Sequence, residues 1–152
     1  MPRVFDSIDA LRPLIGQEIA VGDWMLIPQE LIHAFAAVTG DRQWIHVDPE
    51  RARRESPYGA TVAHGFLTLS LVSRFLAETV YIAGVQRVIN YGLNRVRFPA
   101  SVRSGGRVRA RIGLQAHEDV PTGAQLTWLV TLEAENEPKP ALVAEWLVRY
   151  YR

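Results

Sequence analysis

The feature that most constrains the fold of this chain is the stretch from Gly65 to about Val80, which is apolar around most of a helical circumference. Its large apolar residues are Phe66, Leu67, Leu69, Leu71, Val72, Phe75, Leu76 and Val80. A helix with this pattern has to be buried on most sides. At a rise of 1.5 Å per residue it is about 24 Å long, which is enough to run the length of a small sheet.

After this helix the apolar pattern changes to a period of two, which is typical of strands with one buried face. It predicts strands over 88–98, 107–115, 124–133 and 141–151. A helical half followed by a run of strands indicates an α+β fold, in which an antiparallel sheet buries the long helix. A chain of 152 residues fits one domain, so residues 1–152 are expected to form a single unit.

Shorter elements precede the long helix. The spacing predicts a short helix or turn over 7–16 and a strand over 21–27. It then predicts a helix that follows Pro28 and ends at Gly40, because glycine often ends helices. Asp48 and Pro49 are typical of a helix N-cap and first helical position, and predict another short helix that breaks near Ser56.

Composition excludes several classes of function. The chain has no cysteine, which removes disulfides, thiolate chemistry and cysteine-based metal sites. Its four histidines lack a metal-ligand spacing, so no metal and no cofactor are expected. A net charge of +1 gives no electrostatic field for nucleic acid. No signal peptide and no apolar run of about 18 residues are present, so we expect a cytoplasmic protein that does not associate with a membrane.

The segment Thr39–His46 places a carboxylate, Asp41, five residues before an imidazole, His46, just past the end of a predicted helix. These two groups are the usual pair for moving protons near neutral pH. The apolar residues Trp44 and Ile45 between them suggest a cleft. The alternative is that Asp41 caps a turn and His46 packs in an apolar corner.

Two blocks of this sequence resemble a known family. Phe35–Pro49 looks like the hydratase motif of the MaoC-like dehydratases, the (R)-specific enoyl-CoA hydratases, and Pro57–Thr68 resembles the second block, which opens the central helix. The usual motif reads Gly-Asp-x-Asn-Pro-x-His, whereas Gln43 and Trp44 replace the Asn and Pro here. This variant, with Asn90–Pro99, is similar to the nodulation protein N-like branch of the family.

The resemblance implies a hotdog fold, an antiparallel sheet wrapped around one long helix, assembled as a homodimer or a dimer of dimers. It implies an acyl-CoA substrate, or an acyl carrier protein thioester, and reversible hydration of a trans-2-enoyl-CoA to the (R)-3-hydroxyacyl-CoA. Asp41 and His46 would form the catalytic dyad. The backbone N–H of Gly65, at the positive end of the central helix, would stabilise the thioester oxygen.

Further residues are candidates for contacts with substrate. Gln43, Trp44, Tyr58 and His64 are candidates for the acyl pocket, although His64 could instead cap the central helix. The alternating Arg107, Arg109 and Arg111 could meet coenzyme A phosphates or simply face solvent. His33 is interpreted as structural, and His117, near a turn, as exposed.

Two other functions remain open at this point. The same fold could hydrolyse acyl-CoA thioesters, in which case free thiol would be released from saturated substrates. Alternatively, the chain could be a non-catalytic acyl-CoA-binding subunit, which would bind tightly without turnover. Retention of both Asp41 and His46 favours the hydratase over both of these alternatives.

Overall fold

The computed structural model describes residues 1–152. The chain begins with strand β1 and a 3₁₀ helix, and most of its helices precede most of its strands. The helices are the 3₁₀ helix Ile8–Leu14, α1 Gln29–Thr39, α2 Trp44–Val47, α3 Pro49–Glu55 and α4 Gly65–Thr79. The strands are β1 Arg3–Phe5, β2 Glu18–Val21, β3 Met25–Leu26, β4 Val80–Ile82, β5 Arg87–Arg97, β6 Arg107–Val120, β7 Gly123–Ala134 and β8 Leu142–Tyr151.

The main sheet has six strands and is antiparallel throughout. Its order is β2-β6-β7-β8-β5, and β3 also pairs with β6. The long strand β5 therefore lies at one edge and is paired only with β8. A separate two-stranded parallel sheet joins β1 to β4.

The core lies between α4 and one face of the main sheet. The helix contributes five buried residues, Leu67, Thr68, Val72, Phe75 and Leu76. Alternate residues of β6, β7 and β8 are buried against it, as the period of two predicts. A Cβ atom at Gly22 would lie 2.8 Å from the Phe75 ring, so the absence of a side chain lets β2 and β3 cross the helix closely.

Most of the helices and strands predicted from the sequence are present in the structure, and three features differ from the prediction. The strand expected over 21–27 is divided into β2 and β3, because the chain bends at Gly22 around Phe75. The parallel pairing of β1 with β4 has no local signal in the sequence. The helix α4 is buried on one side only, since Phe66 is 69% exposed and Arg74 also faces outward. No helix in the structure is long and apolar enough to cross a membrane.

Candidate active site

Asp41 and His46 lie at the junction of α1 and α2. Gly40 ends α1 in the left-handed conformation, with φ of 78°, and its N–H donates to the Ala36 carbonyl. The turn directs the chain into a three-residue link that carries Asp41, and His46 follows inside α2. Asp41 is exposed, whereas His46 is 8% exposed. The sequence spacing therefore places a solvated carboxylate beside a buried imidazole.

The tautomer of His46 follows from its hydrogen bond. Its Nδ1 atom lies 2.6 Å from the carbonyl oxygen of Val62, and because a carbonyl can only accept, Nδ1 carries the hydrogen. In the neutral ring Nε2 is then unprotonated and can accept a proton. Val62 also donates its N–H to the Ile45 carbonyl, so the segment that orients the ring is itself fixed to α2.

His64 packs directly on His46. The two ring centroids are 3.9 Å apart with an interplanar angle of 24°, and His64 is 2% exposed. The Nε2 atom of His64 donates to the backbone carbonyl of Asp41 at 3.0 Å. Its Nδ1 atom is buried without a partner. His64 thus occupies the N-cap position of α4 but makes no side-chain cap bond, and instead connects both dyad residues.

A second polar pair, the half-buried Gln29 and the buried Thr61, holds α2 in place. Gln29 donates through Nε2 to the carbonyl oxygen of His46 at 2.7 Å, and Thr61 donates its hydroxyl to the Gln29 side chain. These residues come from α1 and from the loop before α4. The sequence analysis did not single them out, because a glutamine and a threonine that lie 32 positions apart give no local pattern.

His46 and Gly65 line the same cavity, which has a volume of about 180 Å³. Its other lining residues are Ile45, Tyr58, Val62, Ala63, Thr68, Phe98, Ala100, Ser101, Val102 and Ala141. Gly65 is the first residue of α4, where backbone N–H groups have no partner within the helix. A Cβ atom at Gly65 would lie 3.2 Å from the Phe98 ring. The cavity therefore combines a proton acceptor and a helix N-terminus inside mostly apolar walls.

Asp41, His46 and His64 also form a compact cluster, with one side-chain donor atom from each residue within 4.8 Å of the others. The ring-nitrogen lone pairs of a histidine lie in the plane of its ring. Because the two rings are stacked nearly parallel, they do not direct two lone pairs to one point. The geometry therefore suits proton transfer better than metal coordination.

Of the three other residues proposed for the acyl pocket, only one lines the cavity. Tyr58 lines the cavity with His46. Gln43 is the exposed N-cap residue of α2, and Trp44 follows it with the guanidinium of Arg51 4.3 Å from its ring centroid. Neither Gln43 nor Trp44 lines this cavity. Their part in acyl recognition stays a prediction.

The three arginines on β6 are paired with carboxylates. Arg109 lies 2.6 Å from Glu133 of β7, and Arg111 lies 2.7 Å from Glu18 of β2. Arg107 approaches Glu135 at 3.5 Å. None of the arginines lines the cavity that holds His46. A role for them in binding coenzyme A also stays a prediction.

The two remaining histidines lie outside the cavity. The Nε2 atom of His33 lies 3.2 Å from the Val47 carbonyl, so this ring connects α1 to α2. The expectation that His117 is exposed is wrong, since its side chain is 0% exposed. It points from β6 toward the 3₁₀ helix, where Asp9 Oδ1 lies 3.8 Å from its Nε2 atom. The N-terminal segment packs over the sheet and covers the His117 side chain. The alternating pattern of the strand and the nearby turn give no sign of this long-range contact.

The family of this chain is decided by a sequence match. Residues 11–135 match the family described as the MaoC like domain. The chain belongs to this family. The match includes the dyad segment, the His64–Gly65 step and the whole of α4. The predicted resemblance to MaoC-like dehydratases is thereby confirmed, and it supports an enzyme of the hydro-lyase class that acts on acyl thioesters.

Two curated relatives lie close to this MaoC-like chain. It is 49% identical over 149 residues to the 3-hydroxyacyl-thioester dehydratase Z of Mycobacterium tuberculosis, covering 97% of this chain and 98% of the relative. It is 46% identical over 142 residues to the nodulation protein N of Rhizobium leguminosarum bv. viciae, covering 88% and 84%. The similarity to the nodulation protein N branch, predicted from the Gln43–Trp44 variant, is therefore confirmed.

The fold is shared with solved structures. The (R)-hydratase of A. caviae, involved in PHA biosynthesis, matches the MaoC-like chain with a TM-score of 0.65 and 25% identity, covering 88% of this chain and 98% of that one. The predicted α+β hotdog fold is confirmed, with the antiparallel sheet wrapped around α4.

Proposed function

We propose that this protein catalyses the reversible hydration of a trans-2-enoyl-CoA to the (R)-3-hydroxyacyl-CoA. The observation that carries the proposal is that His46 and the Gly65 N-terminus of α4 line one small cavity, while Asp41, outside the cavity lining, places a carboxylate oxygen within 4.8 Å of a ring nitrogen of His46. The reaction needs a base for water, a proton for C2 and a donor for the thioester oxygen. These three needs match the three groups.

In the proposed addition, the oxygen of water bonds to C3 as the C2–C3 double bond opens. His46 accepts one proton of that water through Nε2, because Nδ1 is occupied by its bond to Val62. The proton taken by His46 then passes to Asp41 and from Asp41 to C2, so that the H and OH of one water molecule are added and both residues return to their starting state. The bond from His64 to the Asp41 backbone carbonyl and the stacking of His64 on His46 keep these two residues next to each other.

The developing negative charge falls on the thioester oxygen. The N–H of Gly65 is the proposed donor, because it lies at the positive end of a 15-residue helix and in the cavity with His46. In other enzymes, loss of one such donor costs about 3 kcal/mol of transition-state stabilisation. The (R) product and the thioester class are supported by the names of the relatives, one a 3-hydroxyacyl-thioester dehydratase and the other an (R)-hydratase.

The deciding experiment follows the enoyl ultraviolet absorbance of crotonyl-CoA. We expect it to fall on addition of the protein, and the product to be oxidised by an (R)-specific but not by an (S)-specific 3-hydroxyacyl-CoA dehydrogenase. Release of free thiol from saturated acyl-CoA, without hydration, would instead identify a thioesterase. Binding of crotonyl-CoA with no turnover would identify an acyl-CoA-binding subunit.

We also propose that the protein is a homodimer that pairs through β5. This edge strand is 11 residues long and exposes Val88, Ile89, Tyr91 and Leu93. An exposed apolar edge strand is a ready template for another strand. A twofold interface would join β5 to its own copy and extend both sheets.

Replacing Ile89 with lysine should therefore shift the protein from dimer to monomer mass in size-exclusion chromatography with light scattering. Ile89 is 41% exposed, so its replacement removes apolar contact area at the proposed interface without opening the core. Val38→Lys on α1, where the side chain is 86% exposed, is the matched control and should leave the mass unchanged. A wild-type protein that is monomeric at micromolar concentration would contradict this interface.

A further inference from the structure

The helix α2, which carries His46, has only four residues and depends on bonds from other parts of the chain. A helix of this length is not stable on its own, and its last carbonyl groups have no partner within it. Three of these carbonyls accept a hydrogen bond from outside α2. They are Ile45, from the Val62 N–H at 2.9 Å, His46, from Gln29 Nε2 at 2.7 Å, and Val47, from His33 Nε2 at 3.2 Å. The orientation of α2 is therefore decided by its neighbours.

Thr61 sets the orientation of the Gln29 amide, which in turn bonds to His46. The Thr61 hydroxyl donates to Oε1 of Gln29, since an amide oxygen can only accept. This bond leaves the amide nitrogen of Gln29 directed at the His46 carbonyl. Thr61 is 2% exposed, so water has little access to its side of the bond. The two side chains therefore act as one hydrogen-bonded pair, which we call the Gln29–Thr61 pair.

The residue after Thr61 holds the ring of His46. The carbonyl oxygen of Val62 lies 2.6 Å from Nδ1 of His46. The segment Thr61–Val62 is thus connected to His46 twice, directly at the ring and through Gln29 at the backbone. Two connections at separate points of one residue fix the angle of its ring as well as its position. Loss of the Gln29–Thr61 pair is therefore expected to turn the ring, which lines the cavity.

Both members of the pair are anchored to the segment 102–106, just before β6. The Ser104 N–H donates to the Thr61 carbonyl at 2.9 Å. The N–H of Ile27, just before α1, donates to the Gly106 carbonyl at 2.8 Å. The first residue of the segment 102–106 is itself part of the cavity wall. The pair therefore fixes the imidazole relative to another wall of the same cavity.

We propose that Gln29 and Thr61 are positioning residues for the hydration proposed above, and hold the ring of His46 at the angle that proton transfer needs. Neither residue lines the cavity, so both act through His46. A displacement of about 1 Å at a reacting group can lower a rate about a hundredfold. A small rotation of the ring should therefore slow turnover far more than it weakens substrate binding. This role rests on the proposed hydratase function, whereas the orientation of the ring can be measured without it.

The kinetic test removes one member of the pair and keeps the shape of its side chain. Thr61→Val and Gln29→Met should each lower kcat for crotonyl-CoA by about tenfold or more and leave KM within about twofold. Thr61→Ser keeps the hydroxyl and should restore most of the wild-type kcat. The double variant should be little slower than either single variant, because both substitutions break the same connection.

Thr79→Val is the matched control for these rates. The Thr79 hydroxyl donates to the Phe75 carbonyl at 2.6 Å, at the opposite end of α4 from the cavity. Its removal also costs one side-chain hydrogen bond, but it should leave both kcat and KM unchanged. All rates are measured well below the melting temperature of each variant.

Nuclear magnetic resonance measures the state of the ring without turnover. In protein made with isotope-labelled histidine, the Nδ1–H of His46 should give a slowly exchanging proton signal, assigned by its loss in His46→Gln. Thr61→Val and Gln29→Met should shift or broaden this signal, whereas Thr61→Ser and Thr79→Val should leave it in place. An unchanged signal in both of the first two variants, or a loss of activity that lies in KM alone, would overturn the proposal. If the signal responds as expected but the wild type does not hydrate crotonyl-CoA, the positioning of His46 stands and the proposed reaction fails.

Discussion

Asp41→Asn and His46→Gln are each expected to lower kcat/KM for crotonyl-CoA hydration by about a thousandfold, within the range for loss of a general acid or base. Asparagine keeps the shape of the carboxylate but cannot exchange a proton. Glutamine keeps a polar side chain at position 46 but provides no basic ring nitrogen. Because the two groups act on one water molecule, the double variant should be little worse than either single variant. The measurement is the initial rate of loss of enoyl absorbance.

A matched control separates this catalytic loss from general damage. Glu50→Gln removes an exposed carboxylate in the first turn of α3, away from the cavity. It should retain a nearly wild-type rate. Asp41→Asn should unfold at nearly the wild-type temperature, since Asp41 is exposed and its side chain makes only a 3.4 Å contact, with the Gln43 N–H. His46→Gln loses the buried bond to the Val62 carbonyl and should melt at a lower temperature, so its rate is measured well below its melting temperature. Full activity in either dyad variant would refute the proposed mechanism.

The largest expected effect on stability comes from Trp128→Ala. Trp128 is 0% exposed on β7, and its indole N–H donates to the Tyr150 hydroxyl at 3.0 Å. Removing a buried tryptophan costs about 3–5 kcal/mol of the free energy of unfolding, because it leaves a cavity in the sheet face that packs on α4. For a domain of this size the melting temperature should fall by about 10 °C.

The adjacent position gives the control for this prediction. Leu129 is 42% exposed and points to the opposite face of the sheet, so Leu129→Ala should lower the melting temperature far less. Tyr150→Phe tests the buried hydrogen bond alone, and the unsatisfied indole N–H should cost about 1–3 kcal/mol. Burial raises the pKa of Tyr150, so its hydroxyl stays neutral over the whole working pH range. Equal melting temperatures for Trp128→Ala and Leu129→Ala would contradict the packing described here.

Local sequence patterns were sufficient to predict most of the secondary structure. Periodicity alone predicts α4 and the four long strands, because residue spacing follows directly from the helix and strand repeats. The Asp48 cap also follows from local chemistry, and its side chain accepts from the Arg51 N–H as predicted. The positions of Asp41, His46 and Gly65 in the site came from resemblance to a family, since one carboxylate and one imidazole in a loop are a weak signal alone.

The sequence by itself therefore determined the α+β class, the order of elements and the family. Only the tertiary structure decided the contacts between residues far apart in the chain. It stacked His64 on His46, buried His117 under the N-terminal segment and paired the β6 arginines with glutamates. It also brought Asn90 and Trp146, 56 positions apart in the chain, within hydrogen-bond distance of each other. Such contacts depend on strand register and on the curvature of the sheet around α4, and neither is encoded in the periodicity of a single segment.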